Sequence, residues 1–71
     1  MPRLPRLSGK EIIKKLERGG YSVVSQRGSH IKLEHKTRPM TTVPLHEIIG
    51  PGLLRQILNQ TGFKLEEFIG L

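Results

Sequence analysis

Fifteen residues carry the reading of the fold: Tyr21-Ser22-Val23-Val24-Ser25-Gln26-Arg27-Gly28-Ser29-His30-Ile31-Lys32-Leu33-Glu34-His35. Tyr21 to Gln26 is rich in β-formers, Arg27-Gly28-Ser29 has turn chemistry, and His30 to His35 alternates polar with apolar, so the stretch reads as a hairpin. Gly28 is expected at positive φ. Successive strand side chains take opposite faces, which sends Ile31 and Leu33 one way and His30, Lys32 and Glu34 the other. The first pair needs a core to bury against, and the second is free to meet solvent.

The flanks supply that core. Upstream, Ser8-Gly9-Lys10-Glu11 fits a capping box, in which the Ser hydroxyl and the Glu carboxylate each accept from the other's backbone N–H. Ile12, Ile13 and Leu16 then give one apolar stripe of a helix, Lys10, Lys14, Lys15 and Arg18 fall mainly on its polar side, and Gly19-Gly20 stops it. Downstream, Lys36-Thr37-Arg38-Pro39 turns into a third strand, Met40 to Val43, closed by Pro44. From Gly50-Pro51-Gly52 a second helix is expected, with Leu53, Leu54, Ile57 and Leu58 on its buried face and Gly62 as its stop. A short helical turn over Glu66 to Ile69 completes the chain. The order α-β-β-β-α predicts an α+β fold, a three-stranded antiparallel sheet with two helices on one face, which leaves the other face with His30 and Lys32 open.

The chain has 71 residues, twelve Lys+Arg, six acids and a net charge of +6. That size predicts one domain over residues 1–71 with a thin core, and Pro2 and Pro5 make residues 1–7 an extended lead-in. Cys and Asp are absent, which excludes disulfides, Cys-ligated zinc, a Ser-His-Asp triad and Asp-rich metal clusters. No metal and no cofactor are expected. Gly50-Pro51-Gly52 lacks the Lys-Ser/Thr of a phosphate-binding loop. The absence of a spanning apolar run and of a signal-peptide core predicts a soluble, cytoplasmic protein with no membrane partner.

The charge is uneven. Residues 1–36 hold nine Lys+Arg and three Glu, whereas 37–71 hold three of each, so the whole excess lies in the first half. Such a field points to a phosphate-rich or otherwise acidic partner, or serves solubility alone. Exposed aromatic rings for stacking on bases are not expected, because Tyr21, Phe63 and Phe68 sit beside helix ends and read as core. Recognition would then go through the nucleic-acid backbone.

Acid–base chemistry near neutral pH must begin with the three His residues. His35 and His46 lie at element boundaries and read as structural, capping a carbonyl or pairing with Glu34 or Glu47. Strand parity puts His30 and His35 on opposite faces, against a shared metal site. His30 reads either as an idle exposed residue or as a working one beside Arg27 and Lys32, which would hold a phosphate against it. Ser29 would orient the phosphate or serve the turn.

Taken together, several segments resemble the HicA toxins of bacterial and archaeal toxin–antitoxin systems. They are Leu7-Ser8-Gly9-Lys10-Glu11 with Ile12-Ile13-Lys14-Lys15-Leu16, Gly20-Tyr21, and Gln26-Arg27-Gly28-Ser29-His30. The rest are Thr42-Val43-Pro44-Leu45-His46, Leu53-Leu54-Arg55-Gln56-Ile57-Leu58, Gly62, and Glu66-Glu67-Phe68. The resemblance spans nearly the whole chain. It implies a fold like the double-stranded-RNA-binding domain, a translation-independent mRNA endoribonuclease activity with His30 as the catalytic residue, and a HicB antitoxin that binds the toxin and masks that histidine. One stretch departs from the family: Glu47-Ile48-Ile49-Gly50-Pro51-Gly52 is short and apolar where the family loop is more polar, which suits packing or partner contact better than RNA.

The resulting expectation is a metal-independent nuclease in which His30 acts as general base on a ribose 2′-OH. Arg27, Gly28, Ser29 and Lys32, together with Lys10, Lys14 and Arg18 of the first helix, would form one RNA-binding surface around it. A non-catalytic RNA-binding module of the same fold is the alternative, and homodimerisation is left open.

Overall fold

Ser8 opens the first helix, α1 (Gly9–Arg18), through a reciprocal cap: its hydroxyl accepts from the Glu11 amide at 3.1 Å and Glu11 Oε1 accepts from the Ser8 amide at 3.1 Å. The structure, a computed structural model, describes residues 4–71, so Met1, Pro2 and Arg3 of the expected lead-in lie outside it. Ile12, Ile13 and Leu16 of α1 are buried and Lys10 and Lys14 are exposed, as the stripe requires.

The three strands β1 (Ser22–Arg27), β2 (His30–Glu34) and β3 (Thr41–Pro44) pair antiparallel in chain order, with β2 in the centre. The hairpin turn is tighter than its sequence suggests. Arg27 belongs to β1 and stands opposite His30, so only Gly28, at φ +60°, and Ser29 form the loop. A glycine at positive φ in the first central position is the mark of a II′ turn, whose twist matches that of the strands it joins. β3 likewise runs one residue later than expected and includes Pro44, which sits in an edge strand where no ladder donor is needed. An irregularity in β1 between Val23 and Ser25 inserts Val24, so Val23 opposes Leu33 and Ser25 opposes Lys32.

Pro51 begins α2 (Pro51–Thr61) at a position where its missing N–H costs nothing. Gly62, at φ 79°, ends it, donating its N–H to Leu58 O at 2.8 Å. A last turn, α3 (Leu65–Ile69), follows and buries Phe68. Ile31, Leu33 and Val43 of the sheet meet Ile12 and Leu16 of α1, Leu54 and Ile57 of α2, and Phe68 in one core. The three aromatic rings are all buried there. The result is the expected α+β arrangement: helices cover one face of β2 and β3 and leave the other free, while every residue of β1 stays exposed.

The connection from β2 to β3 is pinned by side chains. Gly19 O can only accept and the Thr37 N–H can only donate, so His35 carries its proton on Nε2, which donates to Gly19 O at 3.0 Å, while Nδ1 accepts from Thr37 N at 3.0 Å. His35 therefore caps a carbonyl, as expected, and neither of these bonds uses Glu34. The Tyr21 ring lies 4.9 Å from the His35 ring, and its hydroxyl donates to Pro39 O at 2.8 Å. Arg38 stacks its guanidinium 4.1 Å from the Phe63 ring centre and donates to Thr61 O at 2.9 Å.

Candidate functional site

Two rows of residues cross the three strands next to the hairpin turn. Arg27 of β1, His30 of β2 and Pro44 of β3 are register partners, and one strand repeat further along so are Ser25, Lys32 and Thr42. Ile31 and Leu33 are buried against the helices, so parity sends His30 and Lys32 to the uncovered face. Ser25, Gln26, Arg27, His30, Lys32 and Thr42 line a shallow depression of about 460 Å³ there. All six are exposed. A hollow lined by six exposed residues of polar type suits a chain laid across it better than a small molecule enclosed by it.

The turn beside this depression is held on two sides. Gln26 Nε2 donates to Gly28 O at 3.0 Å, and Leu45 N donates to Ser29 O at 2.7 Å. Next along the chain, His46 O accepts from Gly9 N at 2.9 Å. The segment Pro44-Leu45-His46 thus ties the Ser29–His30 corner to the first residue of α1. Gly9 has to be glycine at this junction, because a Cβ there would run into the carbonyl of Pro44. Ser8, Lys10, Leu45, His46 and Glu47 line a second hollow of about 340 Å³ at the same end of the molecule. His46, expected as structural, contributes through its backbone and leaves an exposed side chain in that hollow.

The cations named from the sequence do not form one surface. Arg27 and Lys32 share the depression with His30, and Gly28 and Ser29 make the turn at its edge. Lys10 lies in the neighbouring hollow, whereas Lys14 and Arg18 line a separate shallow surface with Glu11 and Lys15 on the outside of α1. The reason is packing: α1 must turn Ile12, Ile13 and Leu16 toward the covered face of the sheet, so its polar side points away from the face that carries His30. Lys15 and Arg18 are moreover engaged locally. Lys15 Nζ donates to Ile69 O and Leu71 O at 3.0 Å each and lies 5.8 Å from the Phe68 ring centre, and Arg18 reaches Leu71 O at 3.4 Å.

Ser25, Gln26 and Thr42 are the lining residues that the sequence did not single out as part of the site. Ser25 was missed because a three-residue turn over Arg27-Gly28-Ser29 would pair Gln26 with His30 and put Ser25 on the other face, whereas the two-residue turn pairs Arg27 with His30 and Ser25 with Lys32. Thr42 was missed because its alignment with Lys32 depends on the β2–β3 register, which the pairing of the two strands sets. The apolar loop divides its tasks: Ile49 is buried and its N–H donates to Leu7 O at 2.7 Å, while Ile48 is exposed.

Among the described residues no group of three His, Cys, Asp or Glu is placed to hold a metal ion, and no helix is long and apolar enough to cross a membrane. No curated protein matches the chain. The family model for the HicA toxin of bacterial toxin–antitoxin systems matches residues 9–63, which takes in α1, the whole sheet, the Ser29–His30 corner and α2. The chain belongs to the HicA toxin family, whose place in toxin–antitoxin systems implies an antitoxin partner.

Proposed function

We propose that this protein is the toxin of its pair and acts as a metal-independent endoribonuclease that cuts mRNA and so inhibits translation, with His30 as the catalytic residue. The observation that carries the reading is the Arg27–His30 pair: the two exposed residues are register partners across a tight hairpin and line one depression, with Lys32 on the same face of the strand that carries His30.

An imidazole nitrogen of His30 takes the proton of a ribose 2′-OH. The 2′-oxygen attacks the adjacent phosphorus, the P–O5′ bond breaks, and the products are a 2′,3′-cyclic phosphate and a 5′-hydroxyl. The leaving 5′-oxygen takes its proton from solvent, to which His30 is open. Arg27, through its fixed fork of donors, and the Ser29 hydroxyl hold the phosphate, with Lys32 beside them and Gly28 shaping the turn. The nucleophile comes from the RNA itself, so the route needs no metal and spares DNA. Lys10, next to the Ser29–His30 corner, extends the RNA path toward α1, and Lys14 and Arg18 add to the field that draws RNA in rather than to the cleavage site. The antitoxin, of HicB type, silences the enzyme by covering the open sheet face.

One positioned acid–base group contributes roughly 10²- to 10⁴-fold to a rate. Purified protein incubated with RNA in EDTA is expected to cleave it slowly, leaving cyclic phosphate ends, and His30→Ala is expected to lose that activity by a factor of this size with its fold intact. Cleavage that survives the substitution sinks the assignment. Salt-sensitive binding with no cleavage by the wild type makes the protein an RNA-binding module instead.

A further inference from the structure

In the second row of the open face, Lys32 stands beside the scissile phosphate in the reaction just described, whereas Ser25 and Thr42 have no task in it. Ser25, Lys32 and Thr42 are register partners across all three strands, two hydroxyls flanking one ammonium, and all three are exposed in the depression that holds His30. The side-chain hydrogen bonds nearest to them run elsewhere: Gln26 bonds to Gly28 O on one flank, and Thr41 Oγ1 donates to Gln60 Oε1 at 2.8 Å on the other. Three donors at one place, on a central strand and its two neighbours, make a site for an oxyanion.

We propose that Ser25, Lys32 and Thr42 form a second phosphate subsite, which binds the phosphate one nucleotide away from the scissile one. Residues two apart on one strand face are separated by about 6.8 Å, which matches the reach of one nucleotide in an extended RNA backbone. An RNA strand running along β2 then sets the scissile phosphate at Arg27 and His30 and its neighbour at Lys32. Lys32 acts here as a positioning residue, and the substrate class follows: RNA with a phosphate beside the cleaved linkage, hence internal bonds in preference to the lone bond of a dinucleoside monophosphate. The side of the flanking phosphate, 5′ or 3′, is read from the substrates.

The inference rests on the reading of His30 as base, and the experiment keeps the two apart. Cleavage is measured on a dinucleoside monophosphate and on the same compound carrying one more phosphate at its 5′ or its 3′ end. Binding is measured in parallel on the 2′-O-methyl forms, which cannot react. With the wild type, one of the two added phosphates is expected to raise kcat/KM and tighten Kd by about tenfold, the order expected for charge-assisted bonds. Ser25→Ala/Thr42→Val is expected to bring the ratio between the two substrates to about two, and Lys32→Ala close to one. His30→Ala lowers cleavage of every substrate by the same roughly 10²- to 10⁴-fold and leaves the binding ratio as it is in the wild type. Equal binding of the compounds with and without the extra phosphate overturns the subsite whether or not RNA is cleaved. A binding preference without cleavage upholds the subsite and overturns the catalytic reading. Variants that lower binding of both compounds by the same factor also overturn the subsite, since the row would then serve the scissile phosphate.

Discussion

Two helical glycines of this protein should respond in opposite ways to the same substitution. In the unfolded chain, replacing glycine by alanine removes backbone freedom, which stabilises a protein by about 0.4–1 kcal/mol where the fold accepts the methyl group. Gly52, in the first turn of α2, accepts it: apart from its chain neighbours and the backbone of its own helix, no heavy atom lies within 4 Å of where its Cβ would be. Gly9, in the first turn of α1, does not, because its Cβ would collide with the Pro44 carbonyl and lie 3.1 Å from Leu45 Cα, all backbone and unable to rotate away. Forcing an atom into such packing costs about 3 kcal/mol, so the net loss for Gly9→Ala is about 2 kcal/mol. For a domain of this length each kcal/mol moves the melting temperature by about 4–8 °C. Thermal unfolding followed by circular dichroism should show Gly52→Ala melting a few degrees above the wild type and Gly9→Ala at least about 8 °C below it. Because Gly9 N bonds to His46 O and Leu45 N to Ser29 O, amide shifts in Gly9→Ala should spread through residues 44–46 to the Ser29–His30 corner. A Gly9→Ala protein as stable as Gly52→Ala refutes the seating of α1 on the end of β3, and with it the account of how that corner is held.

Two further outcomes follow from contacts away from the site. Burial raises the Tyr21 hydroxyl above its ordinary value of 10.0, opposed in part by the nearby Arg38 charge. The unfolded chain therefore loses this proton first as pH rises, and Tyr21 contributes stability that is present below pH 10 and lost as pH climbs toward the raised value. Urea denaturation should show a fall in stability above pH 10 that is smaller in Tyr21→Phe, which in turn loses about 1 kcal/mol at neutral pH with its bond to Pro39 O. An unchanged alkaline profile in Tyr21→Phe contradicts this. On α1, Lys15→Ala should cost about 1–2 kcal/mol by freeing the 69–71 carbonyls, and its neighbour Lys14→Ala, exposed, should stay within about 0.5 kcal/mol of the wild type. Equal effects of the two substitutions would remove the distinction between engaged and free cations on that helix.

The division between what was legible in the residues and what was not follows the range of the interactions involved. Helix starts and stops are local: Ser8 with Glu11, Gly62 past the end of α2 and the alternation of Ile31 and Leu33 each depend on neighbours within four residues, so the elements, their order and the face taken by His30 could be read directly. Boundaries missed by one residue, at Arg27 and at Pro44, were decided by pairing with His30, which adds a residue to each strand end.

Placement of the charge is a different matter. The sequence determined that the excess of cations lies before residue 37 and that His30 faces out of the sheet. It could not determine that Lys14 and Arg18 stand apart from that histidine, because a helix carries its polar side wherever its apolar stripe is not, and only docking on the sheet orients the stripe. Nor could it reveal that Ser25 and Thr42 flank Lys32. Those residues are distant along the chain or separated by a turn, and hydrogen bonding between strands is what brings them into one row.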